Sequence, residues 1–519
     1  MISPEVTPLS DYRASLCDTT VDREIQKPLR QKKKRIDPRK MMALTFVVLI
    51  TLGLVLLCTP WAQASGKWAW LNETDVFSWS AFYRAFLDNL FMATSSSCVT
   101  GLTVVDVPTY YSTFGHVVLM CCVQLGGISL LTLGTLIVTI LLGRVPVGGE
   151  DQVVINYGAN SSSKANSLLA QTVSYVLTFE CVGGIILFAR YYWHHGYALA
   201  ESLWFATFHA ISAFCNAGIS LHAQNLVGLR GDLIYTSTIA LLVTLGGIGF
   251  LVIANVFNYH PWYRDLRRRG KISLHSRIVL WSSLLLSVGG GLIFTILEWN
   301  NALSFIDIPS PWQALSQGDW STLFLSLKGI TQRICAGISQ TAMFRTAGFN
   351  FVEMDAITPP SNLLSVFLML IGGSPGSMAG GIKTTTLVVL ILTIRAYLRG
   401  CPTVELHRRS ISDVVCREAM VIVVYYFVMV FTFYFVLLLT EKTLVAERGD
   451  FVLFYEVSSA FGTVGTSLNA TPSLSSIGKF LIVLAMYLGR VGPISIALMM
   501  AGREVSHHIR YPEETITVG

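Results

Sequence analysis

Val99-Thr100-Gly101 is the first of four short segments that end alike, and it is followed by Asn216-Ala217-Gly218, Thr346-Ala347-Gly348 and Thr463-Val464-Gly465. Each segment closes a stretch rich in aromatic and small residues, and the four glycines recur at nearly even intervals along the chain. This recurrence suggests that a single chain builds a fourfold ring around an axis. In a membrane, such a ring can line an ion pathway with backbone carbonyl oxygens.

The composition is that of a polytopic membrane protein. The 519 residues are 52% hydrophobic and 13% charged, with a mean hydropathy of +0.57, whereas a soluble domain carries about 25% charged residues. The net charge of +6 does not indicate a nucleic-acid partner, because the basic residues cluster beside apolar runs and are typical of lipid-facing flanks. The cysteines form no CxxC pair, so neither a disulfide framework nor a metal site is predicted from them.

Eight apolar runs are long enough to cross a membrane, which takes about 20 residues of helix. They cover residues 41–60, 113–142, 168–190, 232–258, 277–298, 363–394, 416–440 and 477–502. Four shorter segments lie between them, near 80–98, 201–215, 322–345 and 450–462. Half-length helices at membrane depth are re-entrant and must line protein or a water-filled cavity. We therefore expect an all-α membrane protein with eight transmembrane helices, in which four pseudo-repeats of span, re-entrant pore helix and span surround a central pore.

These units divide the chain into a basic N-terminal segment, four pore repeats and a tail. The predicted boundaries are 1–40 for the basic segment, 41–142, 143–258, 259–398 and 399–505 for the repeats, and 506–519 for the tail. Lys and Arg concentrate in the N-terminal segment and between the fourth and fifth and the sixth and seventh runs, which predicts that these parts are cytoplasmic. An even number of spans then leaves both termini in the cytoplasm of a multi-pass cell-membrane protein.

The needs of a dehydrated cation explain the repeated turns. Successive backbone carbonyls must point at one axis to replace the hydration shell of the ion, and glycine permits the backbone angles that this requires. The side chains of the preceding residues then point away and can vary from repeat to repeat. The four re-entrant helices also aim the negative ends of their dipoles at the cavity, which favours a cation.

Two of the apolar runs are abnormal. The sixth contains five glycines and a proline among the ten residues from Gly372 to Gly381. In a helix interior, each glycine costs about 1 kcal/mol and a proline about 3 kcal/mol relative to alanine. The eighth contains Gly489-Arg490-Val491-Gly492-Pro493. An arginine at this depth should face the protein interior and have partners.

The turns VTGL, NAGI, TAGF and TVGT, the segment GGSPGSMAGGIKTTT and the helix LGRVGP together resemble the potassium-translocating subunits of the Trk/Ktr/HKT superfamily, over roughly residues 41–505. The single apolar run before the first re-entrant segment is most like the Ktr subfamily. The resemblance implies that K⁺ is held by main-chain oxygens at the turns and that glycine at all four narrow points goes with potassium preference. The implied cation-binding residues are Val99, Thr100, Gly101, Asn216, Ala217, Gly218, Thr346, Ala347, Gly348, Thr463, Val464 and Gly465.

The resemblance also implies a gate below the filter. Its residues are Gly372, Gly373, Ser374, Pro375, Gly376, Ser377, Gly380, Gly381, Lys383 and Arg490. The glycine-rich segment has a second interpretation as a packing kink, and Arg490 has a second one as the structural partner of a buried carboxylate.

The partners and rival functions follow from the same comparison with the family. The resemblance implies a homodimer joined to a cytoplasmic ring of nucleotide-binding subunits that respond to ATP, ADP or NAD, since the chain contains no GxGxxG at a strand-to-helix junction and no Walker pattern. Na⁺ is a second candidate as a transported or coupling ion. A secondary transporter for an organic solute is a further alternative, because broken helices also occur in that class. An enzyme is not indicated, because the sequence shows neither a nucleophile with a base nor a metal pair at membrane depth.

Several acidic residues near the pore segments have two interpretations. They draw cations to an outer vestibule, or they cap helices and face lipid headgroups; they are Asp88, Asp106, Glu201, Asp355 and Glu456. Glu180 in the third run is expected to be a buried hydrogen-bonding partner. The pair His194-His195 shows no carboxylate at metal-binding spacing, so no metal site is expected there.

Overall fold

The described residues fold mainly into helices in the computed structural model, which describes residues 38–66, 68, 78–128, 162–257, 272–301, 320–406 and 409–492. The helices up to the middle of the chain are α1 Pro38–Leu57, α2 Trp79–Ser97, α3 Val107–Tyr110, α4 Thr113–Gly127, α5 Ser162–Ala189, α6 Leu199–Phe214, α7 Leu233–Ile248, α8 Phe250–Phe257, α9 Leu274–Leu284 and α10 Gly290–Leu297. The later ones are α11 Trp320–Phe344, α12 Pro359–Leu370, α13 Thr384–Leu398, α14 Asp413–Thr440, α15 Lys442–Arg448, α16 Phe451–Gly462 and α17 Ser476–Val491.

The remaining regular elements are short. A π-helical turn, Arg190–His194, extends α5, and a second one, Leu285–Gly289, joins α9 to α10. The strands β1 Val404–Leu406 and β2 Arg409–Ile411 form an antiparallel hairpin between α13 and α14. Turns of 3₁₀ helix occur at Val227–Leu229, Met354–Ala356 and Thr471–Ser473.

Three helices in the described residues are long and apolar enough to cross a bilayer, namely Gln171–His194, Leu274–Leu297 and Asp413–Thr440. A fourth is α7 with α8 if the two count as one span, but this pair bends by 96°, so the apolar run predicted over 232–258 is not one straight helix. The cause is Gly249, whose φ of 86° and ψ of 144° are accessible only without a side chain. The other apolar helices are shorter, and the ends of the second and eighth predicted runs, 129–142 and 493–502, lie outside the described residues.

The helices that the sequence places before the four turns are present, with ends within two residues of those predicted. Their C-terminal parts are buried although they are polar, as the Ser95 and Ser459 side chains show with no solvent exposure. The long helices show the opposite pattern, because they expose large apolar side chains such as Ile185 and Phe435. A polar centre inside an apolar surface is the arrangement expected of a protein that is surrounded by lipid.

Helix contacts repeat four times along the chain. Each pore helix, meaning the helix before a turn, packs between two neighbours, and we call these groups triads 1 to 4: α1-α2-α4, α5-α6-α7, α10-α11-α12 and α14-α16-α17. The last helix of each triad also packs against the pore helix of the next, through α4 on α6, α7 on α11 and α12 on α16. The contact of α17 with α2 closes the circle.

Candidate functional site

The four turns have one backbone geometry. Their first residues, Val99, Asn216, Thr346 and Thr463, lie in the left-handed region with φ of 56°, 61°, 72° and 49°. Their glycines also have positive φ, of 96°, 68°, 72° and 94° in chain order. A β-branched residue at positive φ is a genuine outlier, and three of the four first residues are β-branched. The surrounding structure therefore imposes this geometry, and no local sequence signal predicts it.

Three of the turns end their pore helices in a Schellman cap. We number the turns 1 to 4 in chain order. In turn 1 the Val99 N–H donates to Ser96 O at 3.2 Å and the Thr100 N–H donates to Ser95 O at 2.7 Å, which is the bonding pattern of that cap. Turns 2 and 4 repeat both bonds. Turn 3 differs, because the Ala347 N–H donates to Met343 O at 3.0 Å. In the described residues no N–H donates to the carbonyl oxygens of the first two residues of any turn, so these oxygens are free to face an ion.

The turns meet in a closed ring. A methyl group added to Gly101 would overlap the carbonyl oxygen of Ala217, the middle residue of turn 2. The same relation links Gly218 to Ala347 and Gly348 to Val464, and Gly465 to Thr100 completes the circle. The structure thus brings together all twelve residues that the sequence places at the turns, and it leaves no room for a side chain at the glycines.

A cavity of about 710 Å³ opens on one side of the ring, and we call it the vestibule. Gly101, Gly218 and Gly465 contribute to its lining, as do the carboxylate-bearing residues Asp106, Glu353 and Asp355, and no Lys or Arg is among the described lining residues. His222 also lines it. Burial, followed by the charge of His195, lowers the pKa of His222 below its usual range, so His222 is neutral at pH 7. The vestibule is therefore negatively charged and attracts cations.

The acidic residues near the pore fit the two interpretations only in part. Asp106 and Asp355 line the vestibule, and Glu353 is a further member that sequence reasoning missed. Asp88 instead pairs with Lys479 at 2.8 Å. Glu456 is buried and accepts hydrogen bonds from Ser467 and Thr471.

Two further acidic residues have other surroundings. Glu201 is exposed in the first turn of α6. Glu180 is buried and accepts a hydrogen bond from Gln124 at 3.1 Å, which confirms the prediction that it is a buried hydrogen-bonding partner.

The histidine pair does have a neighbouring carboxylate, contrary to expectation. Ligand atoms of His194, His195 and Asp232 lie within 4.8 Å of one another. However, Arg190 donates to Asp232 Oδ2 at 2.8 Å, and Asp232 Oδ1 caps the N-terminus of α7. A guanidinium already occupies the place of a cation, so we assign no metal site.

The glycine-rich segment contributes no residue to the described lining of the vestibule. It forms a loop, residues 371–383, between α12 and α13. The Gly372 N–H donates to Ile382 O at 2.9 Å and the Ile382 N–H donates to Leu370 O at 3.2 Å, which closes the base of the loop. Gly380 touches the side chain of Thr463, the first residue of turn 4. The helix therefore breaks where its glycines and proline predict, and the break is next to the ring.

The loop is bound to the end of α7. The Ser374 N–H donates to Gly247 O at 3.0 Å, and the Met378 N–H donates to Gly246 O at 3.2 Å. The Ser374 hydroxyl donates to Ile248 O. These carbonyls are available because the bend at Gly249 ends α7.

Arg490 joins the loop to a different triad. Its Nη1 donates to Met378 O, and its Nη2 donates to Gly126 O at 2.7 Å. None of the ion pairs between described residues includes Arg490, so the interpretation as a partner of a buried carboxylate gains no support. The Lys383 Nζ donates to Ala379 O at 2.6 Å within the loop. Two cationic side chains thus bind the carbonyls of the loop.

An apolar outer surface, membrane-length helices and a polar centre of free carbonyl oxygens define a multi-pass membrane protein of the transporter class. A family model described as TrkH, cation transport protein, matches residues 71–507. The chain belongs to this family, which confirms the resemblance seen in its motifs; it is a family of transporters rather than enzymes.

The chain is similar to several curated proteins over nearly its whole length. It is 31% identical to the Ktr system potassium uptake protein B of Bacillus subtilis, over 95% of this chain and 100% of that protein. It is also 31% identical to the protein of that name from Vibrio alginolyticus, over 94% and 96%. It is 29% identical to the potassium/sodium uptake protein NtpJ of Enterococcus hirae, over 94% and 99%.

A solved structure shares the fold. The crystal structure of the potassium transporter TrkH from Vibrio parahaemolyticus matches with a TM-score of 0.62, over 91% of this chain and 86% of that one, at 14% sequence identity.

Proposed function

We propose that this protein takes up K⁺ across the cell membrane through the ring of turns, within four pseudo-repeats that make eight membrane crossings. The observation that carries the proposal is the closed ring, in which each glycine abuts a carbonyl-bearing residue of the next turn. Free carbonyl oxygens around an axis replace the hydration shell of an alkali cation. The names of the relatives, which include potassium uptake, favour K⁺ as that cation.

We propose further that loop 371–383 and Arg490 form the gate. The loop contacts Thr463 at the ring, and hydrogen bonds hold it to α7 on one side and to Arg490 on another. Flow past the ring would require these bonds to break, and the positive charge of Arg490 adds an electrostatic barrier to cations.

The topology and the partner subunits are proposed from the sequence and from its similarity to known proteins. The basic N-terminus favours cytoplasmic termini. The resemblance to the Ktr subfamily suggests a homodimer that works with a cytoplasmic ring of nucleotide-binding subunits, and two relatives are named as parts of a Ktr system. Such a partner would act on the gate from the cytoplasmic side.

Potassium rescue of an uptake-deficient host tests the main proposal. Expression should restore growth at low K⁺, and purified protein in liposomes should carry K⁺ when K⁺ is the only permeant cation. A correctly inserted protein that restores growth at no K⁺ concentration and passes no K⁺ in liposomes would contradict it.

Sodium transport is the second candidate, because one relative is named a potassium/sodium uptake protein. Liposome flux with Na⁺ replacing K⁺ separates the two ions. K⁺ flux that needs Na⁺ on the same side would indicate coupling, whereas equal K⁺ flux with and without Na⁺ would exclude it.

A further inference from the structure

Arg345 stands directly before turn 3 and is buried, with 8% of its surface exposed. It is the last residue between pore helix α11 and the turn, where the other triads have the small residues Cys98, Cys215 and Gly462. No carboxylate in the described residues pairs with it. A buried arginine at membrane depth costs several kcal/mol unless its donors are satisfied, so its contacts require an explanation.

The side-chain hydrogen bonds of Arg345 go to the end of α9 and to the π-helical turn that joins α9 to α10. Its Nη1 donates to Ser283 O at 3.2 Å and to Ser287 Oγ at 3.1 Å, and its Nη2 donates to Ser283 Oγ at 3.4 Å. The Thr341 hydroxyl donates to Ser287 O at 2.9 Å. A π-helical turn leaves carbonyls outside the ordinary helical pattern, and such turns are frequent at functional sites. Here it supplies acceptors to the end of the pore helix.

The other three turns are held by a serine four residues before their first residue. Ser95 Oγ accepts the Gly101 N–H at 3.0 Å, and Ser459 Oγ accepts the Gly465 N–H at 3.1 Å. The Ser212 hydroxyl donates to Ile219 O at 2.8 Å, just beyond Gly218. The corresponding residue of α11 is Ala342, which has no hydroxyl. Turn 3 also lacks the bonding pattern of the Schellman cap, so it has neither of the two supports used elsewhere.

We propose that Arg345 is the positioning residue of turn 3, anchored on Ser283 and Ser287, and that this anchor sets the affinity of the ring for K⁺ relative to Na⁺. The inference rests on the proposed function of the ring. A carbonyl ring discriminates between ions only while all four quarters are held at the same distance from the axis. Arg345 holds turn 3 in position, as the serine hydroxyls hold the other three turns.

The test uses a variant that keeps the charge of Arg345 and removes its two hydroxyl acceptors, Ser283→Ala with Ser287→Ala, while the contact with Ser283 O stays in place. Two readouts are needed in wild type and variant: K⁺ and Na⁺ flux in liposomes, and thermal stabilisation of the detergent-solubilised protein as K⁺ or Na⁺ is added. We expect the KM for K⁺ and the half-stabilising K⁺ concentration to rise about tenfold, with maximal flux within about twofold. The matched control is Ser282→Ala on the same helix, because the Ser282 hydroxyl bonds only to Val279 O.

Arg345 itself is tested with two replacements. Arg345→Lys should recover part of the K⁺ preference that Arg345→Met loses, because lysine keeps a donor of the same charge. A purely structural role would lower the melting temperature without ions and leave the ratio of K⁺ to Na⁺ unchanged. If the arginine variants do not fold, the double serine variant decides between a positioning role and a purely structural role for Arg345.

An unchanged ratio in a folded double serine variant would overturn the inference. Absence of K⁺ flux in wild type would count against the proposed function alone, since ion-dependent stabilisation still measures how Arg345 affects the ring.

Discussion

In the ring, all four turns have positive φ at their first residue and at their glycine, whereas the helices that follow the turns differ from one another where they lie beside the ring. Gly126, Gly246 and Gly489 each pack against a carbonyl at the C-terminal end of the pore helix in their own triad. The equivalent glycine of the third triad, Gly372, packs instead against Gly380 of the loop. The fourth triad differs in another way, because it carries Arg490 directly after its glycine.

The difference shows how one scaffold can separate two tasks. Equal surroundings on all sides are what a dehydrated ion needs, so the ring gains from fourfold repetition. A gate needs a piece with two arrangements, and a loop held by a few hydrogen bonds can change where four identical helices cannot. We therefore expect substitutions in the ring to change which ion passes, and substitutions beside it to change how much passes.

The largest effect should come from Gly101→Ser. Its φ of 96° costs a residue with a side chain about 1–3 kcal/mol, and its Cβ would overlap Ala217 O. We expect the K⁺ to Na⁺ permeability ratio to fall about tenfold or more, measured by ion-replacement flux in liposomes. The control is Gly228→Ser in the 3₁₀ turn Val227–Leu229, where an added Cβ meets nothing within 4 Å. Equal ratios in wild type and Gly101→Ser would contradict the assignment of the ring.

Arg490→Gln should raise K⁺ flux about tenfold without changing the permeability ratio, because it removes a charge and loosens the loop. The variant is compared with Arg448→Gln, since Arg448 also donates to two backbone carbonyls, those of Leu468 and Asn469, but at an exposed position. Unchanged flux in a stably folded Arg490→Gln protein would support a structural role instead.

Ser374→Ala should raise K⁺ flux about fivefold, which corresponds to the loss of one hydrogen bond of about 1 kcal/mol. The hydroxyl joins the loop to Ile248 O of α7. Ser377→Ala is the comparison, because the Ser377 hydroxyl bonds to Ser374 O within the loop and leaves that link intact. An effect of equal size in both variants would argue that loop stability, rather than its attachment to α7, limits flux.

The smallest effect should come from Glu353→Gln in the vestibule. We expect the KM for K⁺ to rise about twofold at low ionic strength, and the rise to vanish at about 1 M of an impermeant salt, where exposed charges are screened beyond about 3 Å. Glu447→Gln, exposed on α15 outside the lining of the vestibule, should leave KM unchanged. Persistence of the Glu353 effect at high salt would exclude long-range attraction as its cause.

The positions of the turns and the break in the sixth run could be read from the sequence because glycine and proline act through the backbone. A glycine has the same conformational freedom wherever it stands, so its repetition is visible without any knowledge of neighbours. The same property misleads in the case of Gly249, since a single glycine in an apolar run is compatible with both a straight span and a sharp bend. Only its contact with Ser374 explains why it bends.

Residues that act through distant partners could not be found in this way. Arg345 stands in a pore segment with no local feature that links it to Ser283 or Ser287, about 60 positions earlier. Asp232 likewise lies far along the chain from His195, yet its carboxylate is 3.2 Å from His195 Nε2. The prediction that no carboxylate accompanies the histidine pair is therefore wrong. In both cases the pairing depends on how helices pack, which a single sequence does not report.

The sequence by itself determined that this is a membrane protein with four equivalent glycine turns, because hydropathy and backbone freedom are properties of the residues alone. Only the tertiary structure decided that the turns close into one ring, that the loop binds α7 and that Arg490 reaches the loop and α4. Those outcomes depend on atoms from different triads that approach within hydrogen-bonding distance, and the distance exists only after the helices have packed.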